Sequence, residues 1–308
     1  MTVAVDKTAL IALLRVKGVK WNFVAREAQR PDGLERLLAG HPNEISAEAR
    51  ESAAALEGVE LDRHRAEAAE ILASTAAEGI RLVTVLDPDY PANLRTIFNL
   101  PPFLFYRGDL REDDARAVAV VGTREPSAAG RERAQRLAKL LVESDVTVLS
   151  GLAHGIDTAA HTSCLESGGR TIAVLGSGIR RIYPPENEAL AESIGESGAV
   201  VSQFWPDAAP TRYSFPRRNV VTSGLGQGTV VIEASATSGA KMQARLALEH
   251  GKKVFLLRSL VEEHEWARKY LGRGALVVDS VDDILREMRS PALQRERADV
   301  RQQLSLAI

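Results

Sequence analysis

"VTVLSGLAHGIDTAAHTSCLESGGRTIAVLG", residues 146–176, is the stretch that decides the fold. It opens on a β-branched run at 146–151 and closes on a second at 171–176, with a helix-like segment between them that starts at the corner "SGLAHGIDTAAH", residues 150–161. A strand, a connection of helical length and another apolar strand make the unit from which parallel sheets are built. Outward from it the rhythm repeats in "AVAVVG" (117–122), "AVVSQF" (199–204), "GTVVIEA" (228–234), "KKVFLL" (252–257) and "ALVV" (275–278). Ala134, Leu137, Ala138 and Leu141 fall at helical spacing between the first two strands. The expected fold class is α/β, a doubly wound, mainly parallel sheet.

Upstream, residues 7 to about 78 carry helical apolar spacing and an alanine-rich stretch, which predicts a small all-helical N-terminal region. "RLVTVLDPDYPANLRTIFNLPPFLFYRGDL" (81–110) predicts two short strands, 81–85 and 103–106, set among proline-marked turns as a connector that packs onto the sheet. Residues 289–308 are charged and hold too little apolar material for a domain, so a loose helix or a disordered tail is expected.

The 308 residues are 45% hydrophobic and 26% charged, the range of a globular chain with a real core. The net charge of -2 excludes a uniformly basic coat and leaves a local basic groove open. One cysteine, Cys164, permits no internal disulfide and reads as a packing residue. No charged and apolar leader and no long apolar run is seen, so a cytoplasmic location without membrane contact is expected.

In open α/β sheets ligands bind beyond the carboxyl ends of the strands. Those corners read "VGTREPSAAG", "SGLAHGIDTAAH", "LGSGIRRIYPPEN" and "EASATSGAKMQA", with "RYSFPRRNVVTSGLGQG" before the strand at 228. Gly, Ser and Thr recur where a backbone must approach a ligand, and several corners add an arginine, a composition suited to phosphate. Gly122 and Thr123 bring Arg124 to a strand end, where its planar fork can grip a phosphate. Asp157 follows Gly155 in a position to cap the helix or hold the loop, and with His161 to organise the turn. Phe215 offers a face to a nucleobase, and Arg217, Arg218 and Asn219 offer donors, a set suited to single strands. Ser238 and Gly239 open a helix whose amides face outward, with Lys241 adding charge. His154 and His161 have no further ligand cluster, so no metal is expected, and the spacing of "GTREPSAAG" and "GSGIRR" does not match a dinucleotide fingerprint. No cofactor and no catalytic residue are expected.

The blocks "VAVVGTREPSAAG", "VLSGLAHGIDTAAHTSCLESGGRTIAVLGSGIRRIYPPEN", "FPRRNVVTSGLGQGTVVIEASATSGAKMQARLALEHGKKVF" and "DPDYPANLRTIFNLPPFLFYRGDL" resemble, in order and over about 80–290, the DNA-processing protein A family, DprA or Smf. The resemblance implies an extended Rossmann-like domain at 79–288; the chain departs from the family at both ends, with a SAM-like or degenerate helix-hairpin-helix region expected at 1–78, where "RVKGVKWNF" matches the usual glycine turn poorly, and a charged tail at 289–308 in place of the winged-helix module of many relatives. The resemblance also implies a non-catalytic homodimer that binds single-stranded DNA in a basic pocket and loads the RecA recombinase during natural transformation. Carried over by motif, that pocket comprises Gly122, Thr123, Arg124, Ser150, Gly151, Gly155, Asp157, Phe215, Arg217, Arg218, Asn219, Ser238 and Gly239. His154 stands where many relatives have arginine, and "SGAKMQA" replaces a more usual "SGSLITA", which moves charge to Lys241. Two other readings stay open: a nucleoside 5'-monophosphate phosphoribohydrolase, for which "GLGQGTVVIEA" puts Glu233 one position late, and a nucleotide sensor of a defence system.

Overall fold

In the computed structural model, which describes residues 6–306, nine strands form one sheet in the order β1-β2-β6-β5-β4-β3-β7-β8-β9. They are β1 (Arg81–Thr84), β2 (Phe103–Gly108), β3 (Ala117–Val121), β4 (Thr147–Ser150), β5 (Thr171–Val174), β6 (Ala199–Ser202), β7 (Gly228–Val231), β8 (Lys253–Leu257) and β9 (Leu276–Val278). β3 to β9 pair in parallel, whereas β2 joins β6 and β1 joins β2 antiparallel. The 81–110 connector is therefore an extension of the sheet edge, with Phe105 opposite Ser202 and Gly108 opposite Ala199. The fold is the Rossmann-like α/β architecture the sequence implied.

The central strands β3, β4, β5, β6 and β7 are buried along their whole length, as parallel strands covered on both faces must be. Fifteen helices are described: α1 (Lys7–Arg15), α2 (Trp21–Glu27), α3 (Gly33–Leu38), α4 (Ala47–Leu56), α5 (Leu61–Ala77), α6 (Ala92–Arg95), α7 (Ala128–Glu143), α8 (Ile156–Glu166), α9 (Glu188–Ser197), α10 (Ser214–Leu225), α11 (Gly239–Glu249), α12 (Arg258–Glu263), α13 (Glu265–Leu271), α14 (Val281–Leu285) and α15 (Pro291–Leu306). On one side Val118, Val120 and Val148 of the sheet pack with Ala134, Ala138 and Leu141 of α7 and Ile156 and Ala160 of α8. The opposite side and the β1-β2 edge share one core with α1, α2, α10 and α11, so the helical N-terminal region is packed onto the sheet. Trp21 of α2 closes that junction, its ring centroid 5.2 Å from Phe103 and 5.3 Å from Trp205.

The charged tail forms α15, which packs against α6 and the 3-10 turn Glu112–Ala115. Residues 1–5 and 307–308, the ends of the expected N-terminal region and tail, lie outside the described residues. Among the described residues no helix is long and apolar enough to cross a membrane. Cys164 is fully buried, and burial pushes its thiol up to about 12, which suits packing rather than reactivity.

Candidate functional site

The chain winds away from β3 in both directions: β4, β5 and β6 follow on one side, β7, β8 and β9 on the other. At this switch point the loops after β3 and β7 part and leave a crevice. It is a cleft of about 290 Å³ walled by Gly122, Thr123 and Arg124 after β3, Gly151, Ala153 and Asp157 after β4, and Ser235, Ser238 and Gly239 after β7. α10 completes it with Phe215, Arg218, Asn219 and Thr222, the positions i, i+3, i+4 and i+7 of one helical face. A side slot of about 40 Å³ continues past Arg124 and Phe215 to His154, Tyr183 and Pro184.

The corner at 150–161 is fixed by its own side chains and by Asn187. The Asp157 carboxylate accepts from the backbone amides of Gly151 (3.1 Å) and Ala153 (3.3 Å), Thr158 Oγ1 donates to the Ala153 carbonyl (2.8 Å), and Asn187 Nδ2 donates to that of Leu152 (2.9 Å). These bonds hold Leu152 at φ +67°, a left-handed backbone that costs a non-glycine residue roughly 1–2 kcal/mol. Gly155 takes φ +80°, and a Cβ there would come within 2.5 Å of the Thr123 and Arg124 carbonyl oxygens. Gly122 lies so close to Ile156 that a side chain would overlap it, which is how the β3 loop and the start of α8 come together.

The floor holds two buried polar side chains, Arg218 and Asp157. Arg218, 8% exposed, donates from Nη1 to the carbonyls of Gly151 and Val174 (3.0 Å for the latter) and from Nε to Asn219 Oδ1 (3.1 Å). Its Nη2 has no partner among the described residues. Burial pushes the Asp157 carboxyl above the usual range, an effect that the Arg218 charge opposes. A Cβ on Gly151 would overlap the Arg218 guanidinium, so this glycine makes room for the cation. Above the floor the exposed Arg124 places Cζ 5.5 Å from the centre of the Phe215 ring.

Of the residues expected from sequence, the cleft thus gathers Gly122, Thr123, Arg124, Gly151, Asp157, Phe215, Arg218, Asn219, Ser238 and Gly239, and the slot adds His154, whose Nε2 lies 3.6 Å from Glu186 Oε2. Gly155 shapes the corner from behind. Three more do not line it. Ser150 is fully buried, and its hydroxyl donates to the Val120 carbonyl across the sheet at 2.7 Å. Arg217 points off the cleft face of α10 and lies over the rings of Trp21 (5.6 Å) and Phe204 (5.3 Å). Lys241 Nζ folds back on the Ala236 carbonyl at 3.0 Å. Sequence reading passed over Thr222, Ser235 and Tyr183; helical spacing from Phe215 marks Thr222, and no local signal marks Tyr183.

Glu233 sits outside the cleft. Its carboxylate accepts from the Ser127 hydroxyl (2.7 Å) and amide (3.1 Å) at the start of α7, an anion at a helix N-terminus. The Glu233 carboxylate is thus engaged at the start of α7 and does not line the cleft.

Residues 81–289 match the family model described as DNA recombination-mediator protein A. The chain belongs to that family. Protein Smf from a Synechocystis species is 35% identical over 281 residues, covering 89% of this chain and 71% of that protein. The X-ray structure of DNA processing protein A (DprA) from Streptococcus pneumoniae superposes with a TM-score of 0.70 at 28% identity, over 92% of this chain and 98% of that one. DNA processing protein A from Helicobacter pylori, whose structure describes its single-stranded DNA binding mode, gives a TM-score of 0.59 at 25% identity over 67% of this chain and 94% of that one. Membership of a DNA recombination-mediator family agrees with the resemblance carried by the sequence blocks.

Proposed function

We propose that this family member binds single-stranded DNA in the cleft beyond β3, β4 and β7, breaks no bond there, and as a homodimer delivers the strand to the RecA recombinase during the processing of incoming DNA. The observation that carries the reading is the pairing of Arg124, exposed and stacked on Phe215, with the buried Arg218 beneath it. The two guanidiniums face a single carboxylate, Asp157, which is engaged by backbone amides. Small residues Gly122, Gly151, Ser238 and Gly239 let a phosphodiester backbone come close, and the first turn of α11 offers amides to a phosphate.

Anisotropy titrations with a labelled oligothymidine and a duplex of equal length test this. The strand binds more tightly than the duplex, and log K falls linearly with log salt by roughly 0.7 per phosphate engaged. Equal affinity for both forms, or no binding at low ionic strength, refutes the reading. Delivery is tested separately by the rate of RecA filament assembly on the same strand with and without the chain.

A further inference from the structure

Phe215 has the composition of a base-stacking residue, yet its ring is half-buried and covered by the Arg124 guanidinium. The aromatic ring beside it is differently placed. Tyr183 is 42% exposed, lies 5.8 Å from Phe215 at an interplanar angle of 50°, and its hydroxyl makes no hydrogen bond among the described residues. At that separation no base fits between the two rings, since stacking on both faces needs roughly 7 Å or more between them. The outer face of Tyr183 is the free one.

The loop that carries Tyr183 is braced by hydrogen bonds on both sides. Before it, Arg181 Nε donates to the Asp207 carbonyl at 3.0 Å, and the buried Ser177 accepts at its carbonyl from Ser202 Oγ at 2.6 Å. After it, Asn187 Nδ2 bonds the Leu152 carbonyl (2.9 Å) and Thr158 Oγ1 (3.0 Å), which fixes the segment to the corner that forms the cleft wall. An exposed aromatic held on a braced loop loses little freedom on binding, the arrangement of a recognition residue.

We infer, building on the proposed function, that Tyr183 is the stacking platform for a nucleobase at the mouth of the cleft, whereas Phe215 serves to hold Arg124 over the phosphate path. The strand then enters with its backbone along Arg124 and Arg218 and one base turned out onto Tyr183. Because every base has a π-face, the contact adds affinity without sequence preference.

The test is a cycle of two variants against two strands: Tyr183→Ala and Tyr183→Phe, each titrated with an oligothymidine and with the same oligomer carrying abasic sites. Tyr183→Ala weakens binding of the intact strand by roughly tenfold, leaves the salt slope unaltered, and is indifferent to base removal. Tyr183→Phe, which keeps the ring, restores the affinity. The inference is overturned alone if the parent chain binds the strand and Tyr183→Ala binds it equally well, or if that variant loses salt slope in proportion to affinity. Absence of binding by the parent chain overturns both this inference and the function it rests on.

Discussion

Arg124 and Phe215, on the loop after β3 and the first turn of α10, form a cation–π pair with 5.5 Å between Cζ and the ring centre. The pair joins two walls of the cleft and holds an exposed cation in one place. Arg124→Ala should weaken single-strand binding by roughly tenfold or more, since a charge-assisted hydrogen bond contributes about 1.5–3 kcal/mol. The salt slope should drop by about 0.7 for each phosphate that the arginine no longer neutralises. The thermal midpoint should stay within a degree or so of the parent, because the side chain is exposed. A full-strength binder with an unaltered salt slope would remove Arg124 from the interface.

Arg217 behaves differently, as it lies over Trp21 and Phe204. Arg217→Ala should lower stability by about 0.5–2 kcal/mol, seen as a lower thermal midpoint, with strand affinity and salt slope unaltered. A loss of affinity without a loss of stability would show that the arginine reaches the nucleic acid.

Two glycines should separate structure from binding. Gly155 at φ +80° is pressed against the Thr123 and Arg124 carbonyls, so Gly155→Ala costs at least about 1–3 kcal/mol and displaces Arg124. Gly239 has nothing within 4 Å of a built Cβ and opens α11, so Gly239→Ala holds or raises stability by up to about 1 kcal/mol. That methyl group nevertheless projects where a phosphate approaches the helix amides. Melting curves and titrations of the Gly239 variant should therefore move in opposite directions, and parallel movement would count against phosphate at α11.

Acid should destabilise the fold in a defined window. His161 is fully buried beside Thr171 Oγ1 (2.7 Å), and burial, then the Arg218 charge, pushes it down to about 3; burial and Lys252 push His250 down to about 4. Both rings stay neutral in the folded chain while the unfolded chain takes up protons near pH 6.5. The stability they contribute is present above that value and is lost as pH falls toward their folded values, by about 1.4 kcal/mol per pH unit for each ring. Asp157, whose carboxyl burial pushes up, has the opposite sign and offsets part of this loss. Thermal midpoints should fall from about pH 7 to about pH 5, with a shallower fall for His161→Gln. A flat profile would mean that these rings titrate freely in the folded chain.

The sheet was legible because parallel strands covered on both faces read as unbroken β-branched runs, as "AVAVV" and "TIAV" do. The antiparallel pairing of Phe105 with Ser202 was not, since register between distant strands leaves no local trace. Within the site, glycines and arginines at strand ends marked the cleft, but residue type alone could not say which way α10 faces. At 100° per residue Phe215, Arg218, Asn219 and Thr222 share a face and Arg217 leaves it, so the helical period, applied to "FPRRNVVT", separates them. Ser150 was misjudged for a similar reason, as the last residue of a strand turns to the sheet or to the loop according to pleat. Tyr183 lay hidden because its neighbour Phe215 comes from a separate part of the chain.

Photo-cross-linking of an oligomer containing 4-thiothymidine, followed by peptide mapping, locates the strand most directly. The account expects adducts in the peptides that carry Arg124, Tyr183 and Phe215–Asn219, suppressed by excess unlabelled strand. Adducts confined to the opposite rim of the sheet, around Gln227 and Arg289, or none at low ionic strength, would contradict it.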